Sequence, residues 1–294
     1  MTDVRARLGI GTTALALIGA LGACSSSEGS AGSRASTSST APAEPLRILV
    51  TNDDGYSAEG IDTVVEALRR LPGVKVTVVA PADQRSGTGS RETPGELTAT
   101  EQRTASGYPA TAVDGYPVDT VTYAMSKVFT AAPPDLVVSG INEGQNLGPV
   151  VNASGTVGAA KAAVGRGLPA LAASAGETEP VGQAATIPPD YDTAATLVVQ
   201  WVTAHRNALL AGPPSPATVV NLNTPTCTTG RMRGLKQVPA ATDGAGALDP
   251  ANCESTATEV PDDITAFLAG FAAVTELDAA GQTVTTSTTW PKPR

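Results

Sequence analysis

Asp53 and Asp54 stand side by side in the turn Thr51-Asn52-Asp53-Asp54-Gly55, directly after the apolar run Ile48-Leu49-Val50. A short apolar run bounded by turn residues reads as a buried strand, and Asn-Asp-Asp-Gly as the turn that ends it. In open parallel sheets ligands bind beyond the carboxyl ends of the strands, so the two carboxylates stand where a site would form. Paired carboxylates at such a mouth suit a hard cation held through oxygen. The same residues also read as a solvated turn in which Asp and Gly serve backbone geometry alone.

Two later loops bear on that choice. Residues 74–80 form a second, Val-rich strand, which ends in the polar stretch Pro81-Ala82-Asp83-Gln84-Arg85-Ser86-Gly87-Thr88-Gly89-Ser90. Residues 135–139 form a third, running into Gly140-Ile141-Asn142-Glu143-Gly144-Gln145-Asn146-Leu147-Gly148. Each strand thus ends in a loop rich in side-chain oxygen, and Asp53, Asp54, Ser86 and Asn142 are expected at one sheet edge. Their gathering there is the residue-level case for a metal site. Farther on, Ser154 precedes the Ala-rich helical run 155–164. Ser154 is an N-cap by position. The same helix start, with free N–H groups and positive partial charge, is equally a seat for phosphate, and Gly155 would let it approach the backbone.

Composition narrows the chemistry. The single histidine, His205, falls in a helical stretch away from every motif, so Ser-His-Asp, Cys-His and His-rich zinc sites lack their imidazoles. A metal must then be bound through oxygen, which points to magnesium, manganese or calcium. A net charge of −9 offers no basic stripe for phosphates and argues against nucleic acid as a partner. A small anionic substrate stays open if a bound cation meets it.

The elements that must position these residues follow an α/β pattern. Apolar residues at Ile61, Val64, Val65, Leu68 and Leu71 predict a helix between the first two strands, the crossover unit of a parallel sheet. A β-ribbon over 97–114, a helix over 117–128, strands over 168–173, 217–222 and 271–277, a helix over 191–210 and a helical turn over 262–268 follow. Residues 228–255 are turn-rich. The expected fold is a Rossmann-like, mostly parallel sheet flanked by helices, spanning residues 46–285, with an extended tail over 286–294.

The beginning of the chain reads differently. Arg5 and Arg7 precede a short apolar stretch from Leu8 to Leu21, and Leu21-Gly22-Ala23-Cys24 closes it. This is the layout of a secretion signal, and its ending resembles a bacterial lipoprotein cleavage box over residues 1–24. Cys24 would carry the lipid and anchor the protein at the extracytoplasmic face of the cell membrane. Residues 25–45, rich in Ser, Ala and Pro, read as a flexible tether. Export would put Cys227 and Cys253 in an oxidising compartment, where a disulfide is expected.

Taken together, these stretches resemble the survival protein E (SurE) nucleotidases, metal-dependent phosphatases acting on nucleoside monophosphates. The likeness covers most of residues 46–277. It rests on residues 48–60 with Thr51-Asn52-Asp53-Asp54-Gly55, on Ala80-Pro81 with Arg85-Ser86-Gly87, and on Gly115-Tyr116-Pro117-Val118-Asp119-Thr120-Val121. Val138-Ser139-Gly140-Ile141-Asn142, Asn146-Leu147-Gly148 and Ser154-Gly155-Thr156-Val157 complete it, with weaker matches at Val220-Asn221-Leu222-Asn223 and Asp262-Asp263. The resemblance implies Asp53, Asp54, Ser86 and Asn142 as ligands of Mg2+ or Mn2+. It places Asn146 and Ser154, Gly155 and Thr156 around the phosphate, with Asp53, Asp54 and Asn146 in catalysis. It also implies a sandwich with a C-terminal extended β arm, assembly as a homodimer or homotetramer, and, by motif, Tyr56 and Tyr116 beside the base. Three positions depart from the pattern: Val150 (after Pro149) replaces an Asp, Ala153 an aromatic, and Glu143 adds a carboxylate. The function expected is hydrolysis of nucleoside monophosphates. The competing reading is a membrane-tethered lipoprotein that keeps the nucleotide or phosphate seat and has lost turnover through Val150 and Ala153.

Overall fold

Leu46, Ile48 and Val50 point to one side of β1 (Leu46–Thr51) and Leu49 to the other, and all four are fully buried. A strand apolar on both faces is the mark of a parallel strand covered by helices on each side. The computed structural model describes residues 44–179, 183, 187–212 and 217–284. The expected leader, Cys24, the tether up to residue 43 and the 286–294 tail lie outside the described residues. The chain divides into units Met1–Pro42 and Ala43–Arg294, and every described element belongs to the second.

From β1 the chain passes through α1 (Glu59–Arg69) to β2 (Val74–Pro81), then through the ribbon β3 (Thr98–Arg103) and β4 (Pro109–Asp114) to α2 (Pro117–Tyr123). It continues through β5 (Leu136–Glu143), α3 (Gly155–Val164), β6 (Ala170–Ala175), α4 (Tyr191–Ala211) and β7 (Val219–Thr224), and closes with β8 (Leu235–Gln237), α5 (Asp263–Leu268) and β9 (Ala272–Leu277). The nine strands among the described residues form one sheet in the order β3-β4-β2-β1-β5-β6-β7-β9-β8. Its pairs are parallel except β3–β4 and β7–β9. Ile61, Val64 and Leu68 of α1 and Val198 and Trp201 of α4 cover one face, while Val121 of α2 and Val157 and Ala160 of α3 cover the other. A smaller cluster of Leu147, Ile264, Phe267 and Phe271 lies under the loops of the carboxyl-terminal third.

The topology locates the site. From β1 the chain builds outward through β2 to β4, then returns to lay β5 on the other side of β1. Strand order therefore reverses between β1 and β5, and the crevice beyond their carboxyl ends is where such sheets bind ligands.

Four local features differ from the sequence pattern. The third core strand does not stop at Ser139 but runs on to Glu143, so Asn142 is a strand residue. A register shift against β6 between Ser139 and Asn142 marks the irregularity. At Gly140 (φ +127°) a Cβ would stand 2.2 Å from the Ala173 carbonyl oxygen, so only glycine lets the strand bend there. The helix begun at Pro117 ends at Tyr123 and continues as a π turn over Ala124–Val128. Within the turn-rich 228–255, β8 pairs parallel with β9. The segment after β9 folds back so that Leu277 bridges Thr283 antiparallel, the described beginning of an extended carboxyl-terminal stretch.

Candidate active site

The turn after β1 is closed by Asn52. Its Nδ2 donates to the Gly55 carbonyl (2.9 Å) and its Oδ1 accepts from Gly55 N–H (3.2 Å), a side chain imitating backbone in the Asx manner. The Asx reading of Asp and Gly at this turn therefore belongs to Asn52, and both carboxylates are released for other work. Thr51 Oγ1 and Thr120 Oγ1 share a hydrogen bond of 2.7 Å that locks the end of β1 to α2. Arg85 N–H donates to the Asp53 carbonyl (2.6 Å), bringing the Ser86 loop against the same strand end. Gly89 N–H donates to the Ala153 carbonyl (2.8 Å), and so joins that loop to the turn before α3.

Asp53 is almost wholly buried and accepts from Thr156 Oγ1 and from the first backbone N–H groups of α3. Burial raises its pKa, against those hydrogen bonds. Burial, reinforced by the Asp53 charge, pushes Asp54 up to about 7; donors to Asp54 are Glu143 N–H, 3.2 Å from Oδ2, and Ser86. A bound cation would favour the ionised forms of both carboxylates. Gly155 abuts the pair: a Cβ there would lie 2.8 Å from Asp53 Cβ and Oδ2.

Asn142 spends its amide N–H groups on the carbonyls of Glu143 (2.9 Å) and Gly144 (2.6 Å). Its Oδ1 is buried with no hydrogen-bond partner. A buried acceptor left without a donor is costly, and this one belongs to a residue lining the same cavity as Asp53 and Ser86. The donor set Asp53, Asp54, Ser86 Oγ and Asn142 Oδ1 fits a divalent cation: two charged and two neutral oxygens, one of them orphaned. Among the described residues no three His, Cys, Asp or Glu side chains converge on a metal position, so the neutral oxygens are needed to complete the set.

The cavity, about 310 Å³, is lined by Asp53, Ser86, Asn142, Asn146 and Ser154, with Glu143, Gln145, Val150, Ala153, Glu177 and Leu248 around them. Among the described residues no lysine or arginine lines it. Asn146 is held firmly: its N–H donates to Asn223 Oδ1 (2.6 Å), its carbonyl accepts from Asn221 and Asn223 Nδ2 (3.0 and 3.1 Å), and its Nδ2 donates to Ser174 Oγ (3.0 Å). Ser154 Oγ accepts from Val157 N–H (3.1 Å) as the N-cap of α3, which leaves its hydroxyl proton free for the cavity. The N-cap reading of Ser154 is thus observed.

Some expected residues lie elsewhere. Gly155 and Thr156, expected around the phosphate, sit behind Asp53 rather than on the cavity lining, and Thr156 spends its hydroxyl on Asp53. Neither Tyr56 nor Tyr116 lines the cavity: Tyr56 packs against the core, and Tyr116 lies under the Arg85 and Arg91 guanidinium groups. His205 stacks on Trp201 of its own helix. Asn221, Asn223 and Ser174 support the site through Asn146. Their signal was two asparagines on a buried strand, where polar side chains need partners. Glu177 and Leu248, on loops, gave none. Cys227 and Cys253 are joined, with Cα atoms 5.7 Å apart.

A protein "5'-nucleotidase SurE" from Methanocella arvoryzae is 40% identical over 182 residues, 61% of this chain and 66% of that protein. Another of the same name from Methanopyrus kandleri is 46% identical over 129 residues, 44% of this chain and 48% of its own length. The chain thus spans about half to two thirds of these curated relatives' length. The crystal structure of the SurE protein from Aquifex aeolicus superposes with a TM-score of 0.60 at 28% identity, covering 79% of this chain and 93% of that one. The family model "Survival protein SurE" matches residues 48–245, which takes in the Asp53 turn, the Ser86 loop, β5 and the start of α3: the chain belongs to the SurE family.

Proposed function

We propose that this protein is a divalent-cation-dependent phosphomonoesterase that hydrolyses nucleoside 5′-monophosphates to nucleoside and inorganic phosphate. One observation carries the reading. Among the described residues the cavity presents carboxylates, no lysine or arginine, and the orphaned Asn142 Oδ1. A phosphate dianion can enter such a place only beside a cation, and the carboxylates require one themselves. The relatives named 5'-nucleotidase SurE supply the substrate class.

Asp53, Asp54, Ser86 and Asn142 would hold the ion, Mg2+ or Mn2+ by donor type. When bound, such an ion would neutralise phosphate charge and make a water acidic enough to attack. Asn146 has one N–H left after the bond to Ser174 and offers it to a phosphate oxygen, as Ser154 offers its hydroxyl proton; both groups stabilise charge on the transferring phosphoryl. Their fixed positions, through Asn221, Asn223 and the α3 cap, avoid reorganisation during reaction. With His205 outside the cavity, a carboxylate of the Asp53–Asp54 pair accepts the proton of the attacking water. Thr156 keeps Asp53 oriented by donating to Oδ1. Phosphate release from AMP with added Mn2+ or Mg2+, abolished by chelator and restored by the ion, is the expected result. Undiminished release in chelator would overturn the reading.

The same reading places the enzyme outside the cytoplasm, tethered through a lipid on Cys24. The support is the arginine-flanked apolar start and its Leu-Gly-Ala-Cys ending. Metabolic labelling with a fatty acid that disappears in Cys24→Ala tests it. Assembly as a homodimer or homotetramer rests on the family resemblance, and sedimentation tests it. Nothing favours the alternative of a lipoprotein that binds without turnover.

A further inference from the structure

We infer that Asp263 is a positioning residue for the reaction: from outside the cavity it holds the turn Gly148–Asn152 in place, and so sets substrate affinity while leaving the bond-breaking step alone. The inference rests on the phosphatase reading. Asp263 opens α5, is fully buried and lies outside the cavity lining. Both of its carboxylate oxygens are in use. Oδ2 accepts from Gly148 N–H (2.9 Å) and Oδ1 from Ala241 N–H (2.8 Å), while its own N–H donates to the Pro239 carbonyl (3.0 Å). A carboxylate is buried at great cost unless such donors answer it. One of these donors, Gly148, stands in the chain between Asn146 and Ser154.

Gly148 is the first residue of a short 3-10 turn, so its N–H has no acceptor within the turn, and Pro149 has no N–H to give. The turn's other bonds run within it. Val150 N–H donates to the Leu147 carbonyl (3.0 Å), and Ala153 and Ser154 N–H donate to the Val150 carbonyl (2.9 and 3.1 Å). Asp263 thus supplies the acceptor that the turn lacks, from 115 positions along the chain. The two ends of this stretch are fixed by other means: Asn146 by Asn221, Asn223 and Ser174, and Ser154 by its cap on α3. Val150 lies between them, lines the cavity and packs against the cluster of Leu147, Ile264 and Phe267. Releasing Gly148 therefore loosens the cavity wall at Val150 and leaves the two phosphate-facing groups where they are.

Asp263→Asn is the sharpest probe. An amide keeps the size but has one acceptor oxygen, so either Gly148 or Ala241 meets an N–H instead. With AMP and saturating Mn2+, KM is expected to rise about tenfold while kcat stays within about threefold of wild type. The Mn2+ concentration for half-maximal activity should not move. Gly148→Ala reaches the same turn with Asp263 intact, since its methyl would stand 3.0 Å from Ile264 Cδ1 and 3.3 Å from Ala241 Cβ. It should raise KM in the same way, and it serves if Asp263→Asn folds poorly. Asp262→Ala is the control. Asp262 caps α5 through Thr265 N–H (2.8 Å), so its loss should lower the melting temperature by about 2–4 °C and leave KM alone. An unchanged KM in Asp263→Asn and Gly148→Ala, a kcat loss at constant KM, or an equal KM rise in Asp262→Ala overturns the inference and leaves the phosphatase reading standing. No release from AMP by the wild-type protein with any cation overturns both.

Discussion

The two walls of the cavity are built by different means. The inner wall, Asp53, Asn142 and Asn146 with Asp54 next to it in the chain, grows from the ends of β1 and β5 or from the chain immediately after, and hydrogen bonds to α2, α3, β6 and β7 hold it. The outer wall, Val150, Ala153 and Leu248, stands on a short 3-10 turn and on a loop of the carboxyl-terminal third. The first is a rigid scaffold of parallel strands; the second depends on a small apolar cluster, on Asp263 accepting from Gly148 and Ala241 N–H (2.9 and 2.8 Å), and on the Cys227–Cys253 bond. Chemistry should therefore be sensitive to single atoms of the inner wall, and substrate affinity to the looseness of the outer one.

The largest effect belongs to Asp53. Asp53→Asn keeps the shape and the Thr156 contact but removes a charge, and phosphate release from AMP should fall by about 10³-fold or more. Melting temperature should hold or rise, since burial disfavours the charged form. Parallel measurement of kcat and thermal unfolding checks both; activity within tenfold of wild type would erase the distinction between the walls. Asn142→Ala comes next. It deletes the orphaned oxygen, and the Mn2+ concentration for half-maximal activity should rise about 10- to 100-fold. An unchanged metal titration would remove Asn142 from the ligand set.

The same division explains what could be read from the residues alone. The inner wall was legible because each of its side chains sits at the end of a strand with a clear apolar run, and a parallel sheet brings such ends to one edge. Ile48–Val50 and Leu136–Val138 needed no tertiary information to announce themselves. Asn142 was placed in a loop because the pattern breaks at Gly140, where the backbone bends and the strand resumes. The outer wall was not legible. Leu248 sits between Gly246 and Asp249 in a turn-rich stretch, and only long-range contacts, such as Gln145 Nε2 to the Asp249 carbonyl, bring it to the site. Thr156 shows a related ambiguity: a helix start can serve a phosphate or a carboxylate, and here the Thr156 hydroxyl donates to the buried Asp53.

Breaking the disulfide probes the outer wall directly. The bond closes a segment with a sequence separation of 26, and the chain-entropy estimate for its loss is about 3.5 kcal/mol. Cys227→Ser/Cys253→Ser should lower the denaturation midpoint by that order while phosphate release stays measurable. KM for AMP should rise more than kcat falls, because Leu248 lies within the closed segment and Asp53 does not. A kcat loss at constant KM would mean that the two walls are mechanically one.

The smallest effect is the most diagnostic of the cation. In metal-free protein Asp54 titrates near 7 against an ordinary 3.8, first because it is buried and second because Asp53 is charged. Between those values the folded state holds a proton that the unfolded state has released. Stability should therefore decline as pH rises from about 4 to 7 and level off above, the sign opposite to that of a salt-bridged carboxylate. Asp54→Asn should flatten this slope. A divalent cation should reverse the trend, because it favours the ionised pair and so stabilises the fold more at pH 7.5 than at pH 5. Denaturation curves at the two pH values, in chelator and in Mn2+, separate the cases. If the metal stabilises equally at both, Asp54 does not contact it, and the inner wall shrinks to Asp53, Ser86 and Asn142.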